Sequence, residues 1–254
     1  MDLRLKGKRA LVTGGSRGIG RAIAQLLVNE GVHVAVCARE ESGVKEAART
    51  LARPGIKVVS AAVDVANGEA LRKWIFDAAS ELGGLDIVVP NVSAGGGGRT
   101  SLEAWRQNFE VDMLGTVHTV EASLPFLEQA GEGAITIISS TAAVEAFRVP
   151  QPYNVMKAGL INYMKNLSNM LAPKRIRANS VSPGPIFVEG GGWDNIKKAN
   201  PQVYERALSQ IPIGRMGTAD EVAAAVVFLA SPIAGFVTGA NLVIDGGFTK
   251  RVNF

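Results

Sequence analysis

Arg9-Ala10-Leu11-Val12-Thr13 runs straight into Gly14-Gly15-Ser16-Arg17-Gly18-Ile19-Gly20. The first piece is an apolar run of strand length stopped by glycine. Beyond the second, Ile19, Ala22, Ile23, Leu26 and Leu27 recur at helical spacing. A strand that turns sharply into a helix leaves the first helical N–H groups unpaired at the turn, where they favour an anion. In that setting Gly14 permits the tight turn, Gly18 lets the backbone approach a pyrophosphate, and Gly20 lets helix and strand pack closely.

The same alternation continues downstream. Val32-His33-Val34-Ala35-Val36-Cys37 is a β-branched run bounded by Gly31 and by charges. A helix over about 42–52, a strand over Ile56 to Ala61, a helix over about 67–81 and a strand over Leu85 to Pro90 follow. Leu102 to Leu127 reads as amphipathic, Ala134 to Ile138 as a fifth strand, 152–172 as a long helix and Ile176 to Val181 as a sixth strand. Helices are expected near 194–209 and 219–230, with Leu242-Val243-Ile244 as a last strand. Continuously apolar strands separated by helices require a parallel sheet covered on both faces. The fold class is therefore α/β: a doubly wound Rossmann fold, one parallel sheet of about seven strands, in a single domain spanning 1–254.

Composition agrees with one large core. Of 254 residues, 47% are hydrophobic and 20% charged, which excludes disordered and collagen-like classes. The 27 basic and 23 acidic residues are scattered without a long cluster, so nucleic acid is not an expected partner. The 29 glycines suit many strand-to-helix turns. One cysteine, Cys37, excludes an internal disulfide, and with two histidines it is too little for a soft-ligand zinc site. Apolar stretches are broken by glycine or charge before a membrane-spanning length, and the first residues carry no apolar signal core. A cytoplasmic protein with no membrane partner is expected.

The spacing Thr13-Gly14-x-x-x-Gly18-x-Gly20 resembles that of the short-chain dehydrogenase/reductase family, and the likeness grows along the chain. Asn91-Val92-Ser93-Ala94-Gly95 is similar to the family's Asn-Asn-Ala-Gly segment, with an altered second position and one inserted residue. Ser140, Tyr153 and Lys157 match its catalytic pattern, and Ser182-Pro183-Gly184, Gly214-Arg215-Met216-Gly217, Thr238-Gly239-Ala240 and Asp245-Gly246-Gly247 match further segments. The resemblance implies hydride transfer between a nicotinamide and a ketone or secondary alcohol. It also implies cofactor contacts from Gly14, Ser16, Arg17, Gly18, Ile19, Gly20, Asp64, Val65, Asn91, Tyr153, Lys157, Pro183, Gly184 and Ile186.

An acidic residue after the second strand would bind the ribose 2′-hydroxyl of NAD. Ala38-Arg39 stands there instead. Arg39, with Arg17 in the glycine turn, offers cations to a 2′-phosphate, so NADP(H) is the expected cofactor. The alternative is that Arg39 is a surface residue neutralised by Glu40 and Glu41. Asp64 could likewise be an ordinary loop aspartate.

Tyr153 and Lys157 are four apart in a helical pattern and lie on one face. A tyrosine hydroxyl titrates near 10 in isolation, and a neighbouring ammonium eases its ionisation. Tyr153 is then the general acid for ketone reduction and the general base for alcohol oxidation. Ser140 would hydrogen-bond the substrate oxygen as charge develops. Ser139 is the rival, but adjacent residues of a strand face opposite ways, and the thirteen-residue spacing to Tyr153 selects Ser140. Family members usually carry asparagine in a Val-Asn-Leu segment after strand four, associated with a bend that orders a relay water for the lysine. This chain reads Val111-Asp112-Met113, so Asp112 joins the catalytic candidates with an altered relay.

His33 and His118 are expected to be structural, and Trp105 with Phe109 to serve a helix core or a subunit contact. A lid over about 185–210 carries Phe187, Val188 and Trp193 as apolar cover around the glycines 190–192, which favours an apolar or aromatic carbonyl substrate. Glu145, Phe147 and Arg148 are further candidates to border it. Two other functions stay open: 3-oxoacyl-carrier-protein reduction, ranked lower because Glu128-Gln129-Ala130-Gly131-Glu132 is acidic, and a non-catalytic NADP(H) sensor. A homotetramer is expected from the family's habit.

Overall fold

The computed structural model describes every residue except Met1, Gly97, Arg99, Phe147, Arg148, Asn253 and Phe254. Phe147 and Arg148, named above as substrate neighbours, lie outside the described residues.

Strands β1 (Arg9–Thr13), β2 (His33–Ala38), β3 (Val58–Ala62), β4 (Ile87–Val89), β5 (Gly133–Ile138), β6 (Ile176–Pro183) and, after the lid, β9 (Asn241–Ile244) form one sheet in the order β3-β2-β1-β4-β5-β6-β9. Every pairing in it is parallel. The order reverses between β1 and β4, the place where a doubly wound sheet opens a crevice beyond its strand ends. Helices α1 (Gly18–Asn29), α2 (Glu41–Leu51), α3 (Gly68–Leu82), α4 (Leu102–Asn108), α5 (Gly115–Ala130) and α6 (Pro152–Leu171) connect the strands.

Successive strand residues face opposite sides of a sheet, and here both sides are dry. Val12, Val34, Val36, Ile87 and Val89 pack into one core with Ile23 and Leu27 of α1. Leu11, Ala35, Cys37, Val88, Ile135 and Ile137 pack into the other with Ile75 of α3, Leu127 of α5 and Leu160 of α6. This double burial is why the strands read as unbroken apolar runs. Leu27 is fully buried, so Leu27→Ala is expected to lose roughly 2–5 kcal/mol of stability through lost transfer energy and a residual cavity. Urea unfolding checks it; a midpoint shift corresponding to less than ~1 kcal/mol would mean that the site collapses around the gap.

Two features lay beyond the sequence reading. Ile186–Phe187 (β7) pairs in parallel with Gly217–Thr218 (β8) as a small second sheet. These strands bracket the lid helices α7 (Gly192–Ala199) and α8 (Pro201–Leu208), and Ala219–Ala230 (α9) starts from a capping box between Thr218 and Glu221. The amphipathic stretch from 102 to 127 is also not one helix. Between α4 and α5 the chain widens into a π-helical segment, Phe109–Leu114, whose extra residue shifts the faces on either side of it.

Candidate active site

The β1–α1 turn has the form an anion needs. Gly14 and Gly18 take φ of +69° and +56°, a region that L side chains rarely adopt. A Cβ on Gly20 would collide with the Gly14 carbonyl and the Asn91 amide. No side chain caps α1, and its first turn holds no acidic residue, so its N-terminal N–H groups and positive dipole end remain available. Ser16 lies against the start of α2, 3.9 Å from where a Gly43 Cβ would be. Ile19 packs on the core.

Arg17 and Arg39 are both exposed, and neither guanidinium makes a hydrogen bond or ion pair with a described residue. The neutralising partners weighed for Arg39 do not act on it: Glu41 pairs with Lys45 at 2.6 Å, and Glu40 makes no ion pair among the described residues.

Other proposed cofactor residues serve partly as scaffold. The Asn91 side-chain amide donates to the carbonyls of Thr13 (3.0 Å) and Gly14 (3.3 Å), and its backbone N–H to the Thr13 hydroxyl, so it locks β4 to the glycine turn. Asp64 is exposed and accepts the Ala66 N–H at 3.0 Å, an Asx turn. Val65 is buried, facing the glycine face of α5 at Gly115. Pro183 and Ile186 are buried as well, and Gly184 sits against Asp245, where a Cβ would not fit.

At the other side of the crevice, Pro152 occupies the first turn of α6 and sets Tyr153 and Lys157 one turn apart. The Lys157 ammonium lies 5.8 Å from the centre of the Tyr153 ring. Lys157 is 2% exposed and donates to the Ile138 carbonyl at 3.0 Å. Its own backbone carbonyl accepts the buried Ser139 hydroxyl at 2.9 Å, which fastens α6 to the end of β5. Ser139 and Ser140 therefore divide their work. Ser140 is partly exposed, and its oxygen accepts the Ala142 N–H at 3.1 Å, which leaves its hydrogen free to donate. Tyr153 is half-buried, its hydroxyl unpaired among the described residues. Its ring contacts the loop after β4 near Gly96, and Gln151 accepts the Gly98 N–H from that loop at 3.0 Å.

The π segment delivers Asp112 to the same place. Its Oδ1 stands 3.2 Å from Lys157 Nζ, and its Oδ2 accepts the Ala94 N–H at 2.9 Å. Asp112 is fully buried. Gly159 of α6 lies against the end of the Met113 side chain, which is 2.6 Å from where a Gly159 Cβ would be.

The lid crosses the crevice. Val188 approaches the Gly18 turn at 3.7 Å from a Cβ position, and Phe187 stacks edge-on with Tyr204 at 6.4 Å with the Lys197 ammonium near both rings. Asp194 anchors the glycine segment by accepting the Gly190 N–H at 2.8 Å, and its carboxyl is held below the usual range mainly by Lys198. A cavity of about 530 Å³ opens between Glu145 and Ala146, in the segment after Ser140, and Ser209, Gln210, Pro212, Phe248 and Lys250. No group of three metal-ligating side chains occurs among the described residues, and none of their helices is long and apolar enough to cross a membrane.

A family model described as enoyl-(acyl carrier protein) reductase matches residues 14–249. Isoepoxydon dehydrogenase of Penicillium expansum is 38% identical, over 98% of this chain and 98% of its own length. Dehydrogenase/reductase SDR family member 4 of Sus scrofa is 33% identical over 98% of this chain and 89% of its own. The chain belongs to the short-chain dehydrogenase/reductase family. Within that family, the 3-oxoacyl-[acyl-carrier-protein] reductase of Aquifex aeolicus is 32% identical over 97% of this chain and 99% of its own. Among solved short-chain dehydrogenase/reductase structures, L-sorbose reductase from Gluconobacter frateurii, complexed with NADPH and L-sorbose, superposes with a TM-score of 0.91 at 32% identity. It covers 99% of this chain and 100% of its own.

Proposed function

We propose that this protein is an NADP(H)-dependent oxidoreductase that interconverts a small ketone and its secondary alcohol. The observation that carries this reading is the buried Lys157 beside a Tyr153 whose hydroxyl is free, at the mouth of a crevice whose other wall is an uncapped glycine turn. The residues present fit the cofactor: the α1 N-terminus suits a pyrophosphate, and two unpaired arginines suit a 2′-phosphate.

Held by the glycine turn and Lys157, a reduced nicotinamide would supply the hydride for the carbonyl carbon. The protein's own groups manage the oxygen. Ser140 donates a hydrogen bond as negative charge grows on it, a kind of contact worth about 10²–10³ in rate. Tyr153 then gives its proton to that oxygen, and the Lys157 ammonium stabilises the charge left on the tyrosine. Oxidation of the alcohol runs through the same groups in reverse. Lys157, Asn91 and the turn glycines belong to the cofactor side of the site in this reading, together with Ser16, Ile19, Asp64, Val65, Pro183, Gly184 and Ile186.

A free ketone fits better than a carrier-bound one. Supporting this are the cavity of about 530 Å³ beside the segment that follows Ser140 and a structural relative complexed with the free sugar L-sorbose. The acidic segment 128–132 opposes an acidic carrier only weakly, since Glu128 pairs with Lys174 and Glu132 with Lys8, each at 2.7 Å. The Aquifex aeolicus relative keeps carrier-bound reduction as the second reading. A panel of free ketones and a carrier-linked 3-oxoacyl thioester, followed by NADPH absorbance, separates the two; turnover confined to the thioester would remove the favoured one.

A homotetramer in the cytosol completes the reading. Leu102, Phe109, Val155 and Met170 expose apolar surface on α4, the π segment and α6, while Phe228 and Leu242 do so on α9 and β9. Two such faces suit the two isologous interfaces of a dihedral tetramer. Light scattering at micromolar concentration is expected to give four times the chain mass, and a fully active monomer would rule the assembly out. Cys37 is fully buried and its thiol is pushed up to about 12 by that burial, so it offers no disulfide chemistry.

A further inference from the structure

The cavity of about 530 Å³ beside the segment after Ser140 is rich in hydrogen-bonding groups. Small-molecule sites are ordinarily apolar with a few placed polar groups. Here Glu145, Ser209, Gln210 and Lys250 stand against Ala146, Pro212 and Phe248, and the lid's Phe187, Val188 and Trp193 are not among the lining residues. The polar groups have bonding capacity left. Glu145 is half-buried and its carboxylate has no hydrogen bond or ion pair among the described residues, nor does the Gln210 side chain. The Ser209 hydroxyl donates to the Arg206 carbonyl at 2.9 Å, so its oxygen can still accept. The Lys250 ammonium donates to the Gly247 carbonyl at 3.1 Å, which leaves two of its three N–H groups free.

The cavity's walls are held in place. Asp245 accepts the N–H groups of Gly247 at 2.9 Å and Thr249 at 2.8 Å and the Thr249 hydroxyl at 2.7 Å. This turn after β9 fixes Phe248 and Lys250, the neighbours of Thr249. Ile213 is 2.6 Å and Pro212 3.1 Å from where a Cβ on Gly246 and on Gly247 would be, and the Ile213 N–H donates to the Gly246 carbonyl at 3.2 Å. The segment after α8 and the tail of the chain thus form one wall, and the segment after Ser140 forms the other.

Glu145 and Lys250 are the ionisable side chains among the described lining residues, one of each sign and one on each wall. A carboxylate or phosphate would be drawn to Lys250 and repelled by Glu145, an amine the reverse, so net charge on a ligand brings no advantage. An apolar or aromatic ligand would strip water from these groups without replacing it. A hydroxyl both donates and accepts: it can give to Glu145 and take from Lys250 or Gln210.

We propose that the substrate is a neutral, hydroxyl-bearing ketone, and that Glu145, Gln210 and Lys250 select it by hydrogen-bonding hydroxyls remote from the reacting carbonyl. The inference rests on the assignment of Ser140, Tyr153 and Lys157 as the reacting groups.

The test compares ketones built on one ring. A vicinal dihydroxycyclohexanone, cyclohexanone, its carboxylate derivative and its amino derivative are each offered with NADPH to the unmodified protein, with acetophenone as the aromatic case. The dihydroxy ketone is expected to exceed cyclohexanone in kcat/KM by about tenfold or more, the effect of one hydrogen bond to a charged group. Glu145→Ala and Lys250→Ala are each expected to remove most of that lead, chiefly by raising KM, the pattern of binding shared by ground and transition states. A merely structural role would lower turnover of both ketones together and leave the lead in place. An equal or higher kcat/KM for cyclohexanone, acetophenone or either charged derivative overturns the proposal, as does a lead that survives both substitutions. Saturation-transfer NMR follows binding of the same ketones to protein saturated with NADP⁺. Selective binding of the dihydroxy ketone that both substitutions weaken, without turnover, would sink the oxidoreductase reading and support the selectivity assigned to the cavity. Turnover of all the ketones alike would support that reading and overturn this inference, and neither binding nor turnover would overturn both.

Discussion

Tyr153→Phe is expected to reduce ketone turnover by about 10³-fold or more while leaving NADPH affinity within a few-fold of the parent. Phenylalanine keeps the ring that packs near Gly96 and beside Lys157, so the crevice retains its shape. What disappears is the transferable proton. The loss should therefore fall on kcat and kcat/KM together, the pattern of an interaction made only as the reaction proceeds. Stopped-flow fluorescence for NADPH binding and steady-state turnover measure the two arms. A variant that keeps a tenth of the parent activity would mean that another group supplies the proton.

Arg39→Asp is expected to shift the ratio of kcat/KM for NADPH over NADH by about 100-fold or more and to reverse the preference. A charge-assisted hydrogen bond to phosphate contributes about 1.5–3 kcal/mol, and a carboxylate in its place adds repulsion. The size of the effect depends on Arg39 being free, and in this structure Glu41 is committed to Lys45. The introduced aspartate would also stand where NAD-dependent relatives of the fold hold the ribose hydroxyl. Equal use of both nicotinamides by the unmodified protein would refute the assignment before any variant is made.

The sheet was readable because burial on both faces removes polar residues from whole strands. Seven of the nine strands among the described residues announced themselves that way, while β7 and β8 have two residues each and exist only through pairing between segments far apart in the chain. Boundaries slipped by a residue or two, as at β3, which starts at Val58 rather than Ile56. The Tyr153–Lys157 pair was legible because a helix brings residues four apart together. The nearness of Asp112 to Lys157 followed from the family resemblance and not from periodicity, since it joins two helices across the loop after β4. Nor could periodicity reveal the π segment: one added residue within a long amphipathic stretch leaves the apolar content unchanged and alters only the angle at which faces emerge. Asn91 was noticed as a motif residue, and its hold on the Thr13 and Gly14 carbonyls needed coordinates.

The wide turn at Phe109–Leu114 ties chain length to chemistry. Each residue of a regular helix advances the side chains by about 100° around its axis. Deleting a single residue anywhere in that turn would restore ordinary winding and swing one of its two flanks by that angle. Either the carboxylate would leave Lys157, or the Gly115 face would leave Val65, because no single rotation satisfies both contacts. The turn thus acts as a gear tooth between the helix that meets the sheet's third connection and the helix that meets the reacting tyrosine, and insertions or deletions that a surface loop would absorb are barred from this stretch of the chain.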